Sequence, residues 1–151
     1  LIGEGENLVL DVVYDELVPA DKEAGRDILS DWTESICGNH RISRKTDEIG
    51  AAYVEVQDYL SQSGCYRPQA INLWEEEAKA DPWLIAAGKV YGAMIVTDEA
   101  AVHPTPQQPR KKEPKIPDVA QALGVRTCTL REFIQGSKAF GEAPYPIQPL
   151  L

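Results

Sequence analysis

One stretch constrains this chain more than any other: Ala80-Asp81-Pro82-Trp83-Leu84-Ile85-Ala86-Ala87, closed at Gly92 and followed by Ile95-Val96-Thr97-Asp98-Glu99. Asp81 in N-cap position and Pro82 at the first helical position are strong helix-start signals, and Gly92 is a C-terminal stop. The apolar run Ala93 to Val96 then reads as a short buried strand. A helix that packs back on the sheet its following strand enters brings its N-terminus close to the C-terminal end of that strand. Asp81 is therefore expected to meet Asp98 and Glu99 at one sheet edge. Clustered carboxylates at such an edge are where a divalent cation and a phosphate-bearing substrate bind.

The rest of the chain is read in the same way. Asn7 to Val18 is a short apolar run continuing into a helix through Val12, Val13, Tyr14 and Leu17, ended by Pro19. Lys22 to Ile36 is expected to be helical, with Ile28, Leu29, Trp32 and Ile36 on one face. Thr46 is placed to cap a helix reaching about Ser63, with Ile49, Tyr53, Val56 and Leu60 as its apolar stripe. Gln69 to Lys79 forms a further helix carrying Ile71, Leu73 and Trp74. Ala100 to Pro114, rich in Pro, Gln and Lys, reads as an irregular excursion. Pro117 to Leu123 is a short helix stopped by Gly124, Val125 to Cys128 a last strand, and Thr129 with Glu132 a capping box.

Helices interleaved with short apolar strands are the pattern of a three-layer α/β fold, a small parallel sheet flanked by helices. Two strands, with a third near Leu8, make too thin a sheet. A further strand is expected before Leu1. The domain is read as residues 1–140, and 141–151 as an extended Pro-rich tail.

A chain of 151 residues is one domain by its length. Its net charge of −9 argues against a histone-like nucleic-acid binder, but not against a metal-dependent nuclease, whose site is itself acidic until the cation arrives. Positive charge is patchy: Arg41, Arg44 and Lys45 form one group, and Arg110, Lys111, Lys112 and Lys115 another. Each is a candidate to track a phosphate backbone and equally a set of solvated loop charges. No apolar run approaches the roughly 18–20 residues of a membrane helix, and no signal peptide is visible. Three cysteines without a secretory signal read as reduced thiols of a cytoplasmic protein. Cys37 and His40 have C-x-x-H spacing, but Cys65 and His103 are isolated, so the thiols read as structural rather than zinc-bound.

At these residues the chain resembles the PIN-domain (PilT N-terminus) superfamily of metal-dependent nucleases, in a branch related to the toxin halves of toxin–antitoxin pairs. Val13-Tyr14-Asp15-Glu16-Leu17 is similar to the helix bearing the family's second acid, with Glu16 in the acidic slot. Ala80 to Ala87 is similar to the third motif, with Asp81 as its acid. Val96-Thr97-Asp98-Glu99 is similar to the fourth, with Glu99 the first choice for its acid and Asp98 the second. Lys115-Ile116-Pro117-Asp118-Val119 with Ala122-Leu123-Gly124-Val125 resembles the last crossover of the branch. The family opens with a central strand ending in an Asp, the first metal ligand. This chain departs from it there, since Leu1-Ile2-Gly3-Glu4-Gly5 looks like the end of the helix after that strand.

The resemblance implies a phosphodiester hydrolase in which Asp81, Glu16 and Glu99 or Asp98 hold Mg²⁺ or Mn²⁺ together with the absent N-terminal Asp. It implies RNA as the commonest substrate, with Arg41, Arg44, Arg110, Lys111 and Lys112 as candidate backbone contacts. By the same analogy an antitoxin protein is a candidate partner and a homodimer a candidate assembly. Each residue also has a structural reading. Asp81 is a helix cap, Glu16 an exposed helix acid, Asp98 and Glu99 turn residues, and Trp74 and Trp83 core. The same fold without its first acid would be a non-catalytic module that binds RNA or a protein. A Rossmann-like small-molecule domain lacks its Gly-rich phosphate loop here.

Overall fold

Local chemistry fixes the longest helix, α3 (Asp47–Gln62). In the computed structural model, which describes residues 1, 8–18, 27–37 and 40–135, the Thr46 hydroxyl accepts the Ile49 N–H at 3.2 Å, as the sequence predicts. Asp47 and Glu48 in the first turn add negative charge where the helix dipole favours it. Ile49, Ala52, Val56 and Leu60 follow at spacings of three and four and are buried along one face. That face packs on α5 (Ala80–Tyr91), where Ala86 and Ala87 are small enough to admit a close approach. Gly92 ends α5 in the left-handed region at φ 60°, which costs a glycine nothing. Between them, α4 (Pro68–Glu75) starts on a proline and buries Ala70 and Trp74.

The strands are short and parallel. β1 (Val9–Leu10) runs directly into α1 (Asp11–Leu17) and pairs with β2 (Arg41–Ile42), which follows α2 (Ile28–Cys37). β3 (Ile95–Val96) pairs with β4 (Thr127–Cys128), and α6 (Ile116–Ala122) lies between them in sequence. The second pair is extended by Thr97, whose N–H donates to the Cys128 carbonyl at 2.8 Å. α7 (Leu130–Gln135) leaves β4 through the expected capping box: the Thr129 N–H donates to the Glu132 carboxylate, and the Glu132 N–H to the Thr129 hydroxyl. The fold is thus mixed α/β and mostly helical, with two small parallel sheets among the described residues.

Two apolar clusters correspond to the two sheets. One gathers Leu10 and Val12 with Ile49, Ala52, Ala80, Ala86 and Ala87. The other gathers Ile95 and Val125 with Val56, Leu60, Trp74, Ile85 and Val119. Helices α3 and α5 contribute to both, so they are the beams on which the two sheets are hung. Ile49, Leu60 and Ile85 are fully buried, each contributing on the order of 1.5–3 kcal/mol of apolar transfer.

Several elements depart from expectation. The sheet predicted as one appears as two pairs, and Arg41–Ile42 is a strand that the sequence did not announce, having only one apolar residue. On α2, Ile28 is 89% exposed while Ser30 and Thr33 are buried. Ile28 opens the helix on a side away from both. α4 stops at Glu75 rather than Lys79, because Glu76 leaves the helical region, and Leu73 on it is exposed. Most consequentially, the N-cap of α5 is Lys79, and Asp81 lies inside the first turn without capping it. The cause is a competing partner, described below. The sites of Leu29, Trp32, Ile36 and Cys37 side chains, residues 19–26 and the tail from 136 lie outside the described residues.

Candidate functional site

The parallel β3–β4 pair delivers Thr97, Asp98 and Glu99 to the carboxyl end of β3, and each acid meets the start of a helix. The Glu99 carboxylate accepts the Ile116 N–H at 2.8 Å and the Lys115 ammonium at 3.1 Å. Ile116 opens α6, whose N-cap residue, Lys115, offers no side-chain cap of its own. Glu99 therefore satisfies from a distance an N–H that the helix cannot satisfy locally. Asp98 does the same for α7, accepting the Leu130 N–H at 3.0 Å. The next residues are held from the opposite direction. Buried Asp118 on α6 accepts the N–H groups of Val102, at 3.0 and 3.2 Å, and of His103, at 2.9 Å. His103 takes a positive φ of 50°, which this pair of charge-assisted bonds sustains.

Asp81 approaches from α5. Its carboxylate lies 3.3 Å from the Lys79 ammonium, and the same ammonium is in ionic contact with Glu113, just before α6. This pairing draws the Asp81 carboxylate away from the helix N–H groups and explains why it does not cap. Burial pushes the Asp81 carboxyl above its ordinary range; Lys79 opposes that shift, and the charges of Glu99 and Glu113 reinforce it. Asp81, Glu99 and Glu113 are thus electrostatic neighbours, gathered from the start of α5, the end of β3 and the approach to α6.

The other predicted site residues are placed elsewhere or engaged otherwise. Glu16 is exposed on α1, beside the first sheet, with no hydrogen bond or ion pair among the described residues. Among the described residues, no three His, Cys, Asp or Glu side chains are grouped closely enough to hold a metal ion. The arginines have structural partners. Arg41 lies over the Tyr14 ring at 4.9 Å. Arg44 lies over Trp83 at 5.4 Å and donates to the Glu77 carbonyl at 3.2 Å, and Trp83 stacks on Tyr53 with centroids 4.0 Å apart. Arg110 donates to the Glu113 carbonyl and bridges by its backbone to the Cys65–Arg67 segment. Lys111 and Lys112 are exposed.

Lys79, Glu113 and Asp118 are the members of this region that sequence reasoning did not assign. Asp118 had a signal, a carboxylate in the first turn of a helix after Ile116-Pro117. Glu113 had none, since it sits in the Pro- and Lys-rich excursion whose path only the tertiary structure fixes.

A family model, the domain of unknown function DUF4411, matches residues 1–140, and the chain belongs to that family. No curated protein and no solved structure matches it. No helix among the described residues is long and apolar enough to cross a membrane.

Proposed function

We propose that this DUF4411 chain is a metal-dependent ribonuclease of the PIN type, hydrolysing phosphodiester bonds with Mg²⁺ or Mn²⁺. The observation that carries the reading is Asp81. It is a half-buried carboxylate at the carboxyl edge of a parallel sheet, pushed toward protonation by burial and by Glu99 and Glu113. An acid whose charge is under-compensated in the folded protein is what a cation site looks like before the cation is counted. The donor chemistry fits: Asp81 and Glu99 offer only hard oxygen ligands, and Mg²⁺ is commonly held by one or two carboxylates with waters completing its shell. When bound, such an ion neutralises charge on the phosphate and lowers the pKa of an attacking water. Asp81 and Glu99 are the residues that would hold it, with Asp98 and Glu16 as the further carboxylates implied by the resemblance. The fold keeps Glu99 in place through α6 and keeps Asp81 in place through the packing of α5.

A second reading is favoured by the caps: Glu99 and Asp98 each already serve a helix start. A PIN-like module that binds RNA or a protein without cutting would need these acids only for that purpose. The experiment that separates the two is Mn²⁺-dependent cleavage of single-stranded RNA by the full-length protein and by Asp81→Asn. Loss of cleavage in the variant, with its fold intact by circular dichroism, supports the nuclease. Cleavage retained at the wild-type rate removes Asp81 from the chemistry, and no cleavage by the wild type favours the binding module.

A further inference from the structure

The position of Lys79 has a consequence for how the carboxylate edge takes up a cation. Its ammonium touches Asp81 and Glu113 together, joining the turn that opens α5 to the segment that opens α6. All three side chains are only about a fifth to a third exposed, so their charges are partly withdrawn from water. The ammonium is set on Asp81 by local geometry, since Lys79 is the N-cap residue of the helix whose first turn holds the acid. A second lysine, Lys115, holds Glu99 in the same way. Asp81 therefore meets a cation supplied by the protein itself, at the carboxylate that the proposed function gives to a metal ion.

We propose that Lys79 is a tethered counter-cation of this edge. It pairs with Asp81 and Glu113 in the metal-free protein, and a divalent ion must displace it to bind Asp81. Ammonium and metal ion exclude one another, because both seek the same carboxylate oxygens and like charges repel at contact distance. Lys79 thereby lowers the affinity of the site, so that a divalent cation occupies it only at higher free concentration. This inference rests on the metal role of Asp81 proposed above.

A metal ion at Asp81 breaks the partly exposed Lys79–Asp81 pair while leaving Lys79 free to stay with Glu113, so removing Lys79 is expected to tighten metal binding about two- to fivefold. The test is Mn²⁺ binding by isothermal titration to the full-length protein, with no nucleic acid present. It compares the wild type with Lys79→Met, Lys79→Gln, Asp81→Asn and Lys89→Met. Lys89 sits on the same helix and pairs with Glu55, so its removal changes the net charge equally, away from the edge. The expected result is tighter binding in Lys79→Met and Lys79→Gln, less than a twofold change in Lys89→Met, and loss of binding in Asp81→Asn. Two Lys79 variants with native circular dichroism guard against one that misfolds. If binding depends on Asp81 but the Lys79 variants match the wild type, or Lys89→Met gains as much, the counter-cation idea is overturned and the nuclease reading stands. If no protein binds Mn²⁺, or Asp81→Asn binds as the wild type does, both are overturned.

Discussion

Adding one methyl group to each of two glycines should move stability in opposite directions. Gly50 lies on α3 and Gly88 on α5, and both are helical. At Gly50 a Cβ would meet nothing within 4 Å. Gly50→Ala should therefore deliver the ordinary gain of alanine in a helix, about 0.5–1 kcal/mol. At Gly88 the same Cβ would lie 2.8 Å from a Val125 methyl, 3.3 Å from the Ala93 carbonyl oxygen and 3.4 Å from Ile95 Cγ1. Carbon atoms pack best at about 3.5–4.0 Å, and Val125, stiff at χ1, has little freedom to turn aside. Overpacking of this kind costs about 1–3 kcal/mol. Set against the helix gain of roughly 1 kcal/mol, this leaves Gly88→Ala about 0–2 kcal/mol less stable, centred near 1 kcal/mol. For a domain of this size each kcal/mol moves Tm by about 2–4 °C, so calorimetry should show a fall of roughly 2–4 °C. Because α5 also carries Asp81, relief of the clash by lifting the helix off β3 would move Asp81 relative to Glu99. A Gly88→Ala variant as stable as Gly50→Ala would refute the close approach of α5 to the β3–β4 pair.

The cap and site roles of Glu99 separate by substitution. Glu99→Gln retains an acceptor for the Ile116 N–H and should lose less than about 1 kcal/mol, whereas Glu99→Ala should lose about 1–2 kcal/mol by urea titration. Both should abolish cleavage if Glu99 holds metal, and rescue of activity by Gln would restrict it to capping. Asp118→Ala leaves the Val102 and His103 N–H groups without their acceptor; hydrogen exchange at those two amides should accelerate while α3 stays protected. Asp81 has a raised pKa in the folded protein, so the fold holds its proton more tightly than the unfolded chain does, and stability is lost as pH rises from about 3.8 through the folded value. In metal-free buffer the Tm of Asp81→Asn relative to wild type should accordingly rise from pH 3 to pH 7, and a relative fall would show that Lys79 outweighs burial.

What could be read in the sequence was local. The Thr46 cap, the Thr129–Glu132 box, the Gly92 stop and the stripe of α3 each depend on residues within a turn or two of one another, and each is found where expected. The alternation of helix and strand also identified the mixed α/β class. What failed depended on distant partners. Asp81-Pro82 has the local form of a helix start, yet the helix begins earlier, because Lys79 and the remote Glu113 give Asp81 a better electrostatic position than the helix N–H groups. β2 was invisible because two residues, one of them Arg41, carry no period. The arginines proposed as nucleic-acid contacts were chosen by charge alone. Charge does not reveal that Arg41 lies over Tyr14, Arg44 over Trp83, and Arg110 against a backbone carbonyl.

The acids around the end of β3 then divide by what they accept. Glu99, Asp98 and Asp118 each receive backbone N–H groups, a bond that stabilises the carboxylate and the segment it holds. These acids have a structural purpose whether or not the protein is an enzyme. Among the described residues, Asp81 receives no backbone N–H and is paired with an exchangeable ammonium shared with Glu113, and burial opposes its charge. Its charge does suit the first turn of α5, as Asp47 and Glu48 suit that of α3, but only as an exposed-end dipole contact of a few tenths of a kcal/mol to about 1 kcal/mol. A partly buried carboxylate held by an exchangeable ammonium is the acid of this edge most open to a ligand, which is what the proposed function asks of it. That difference is why the functional reading rests on Asp81 rather than on the more numerous acids beside it.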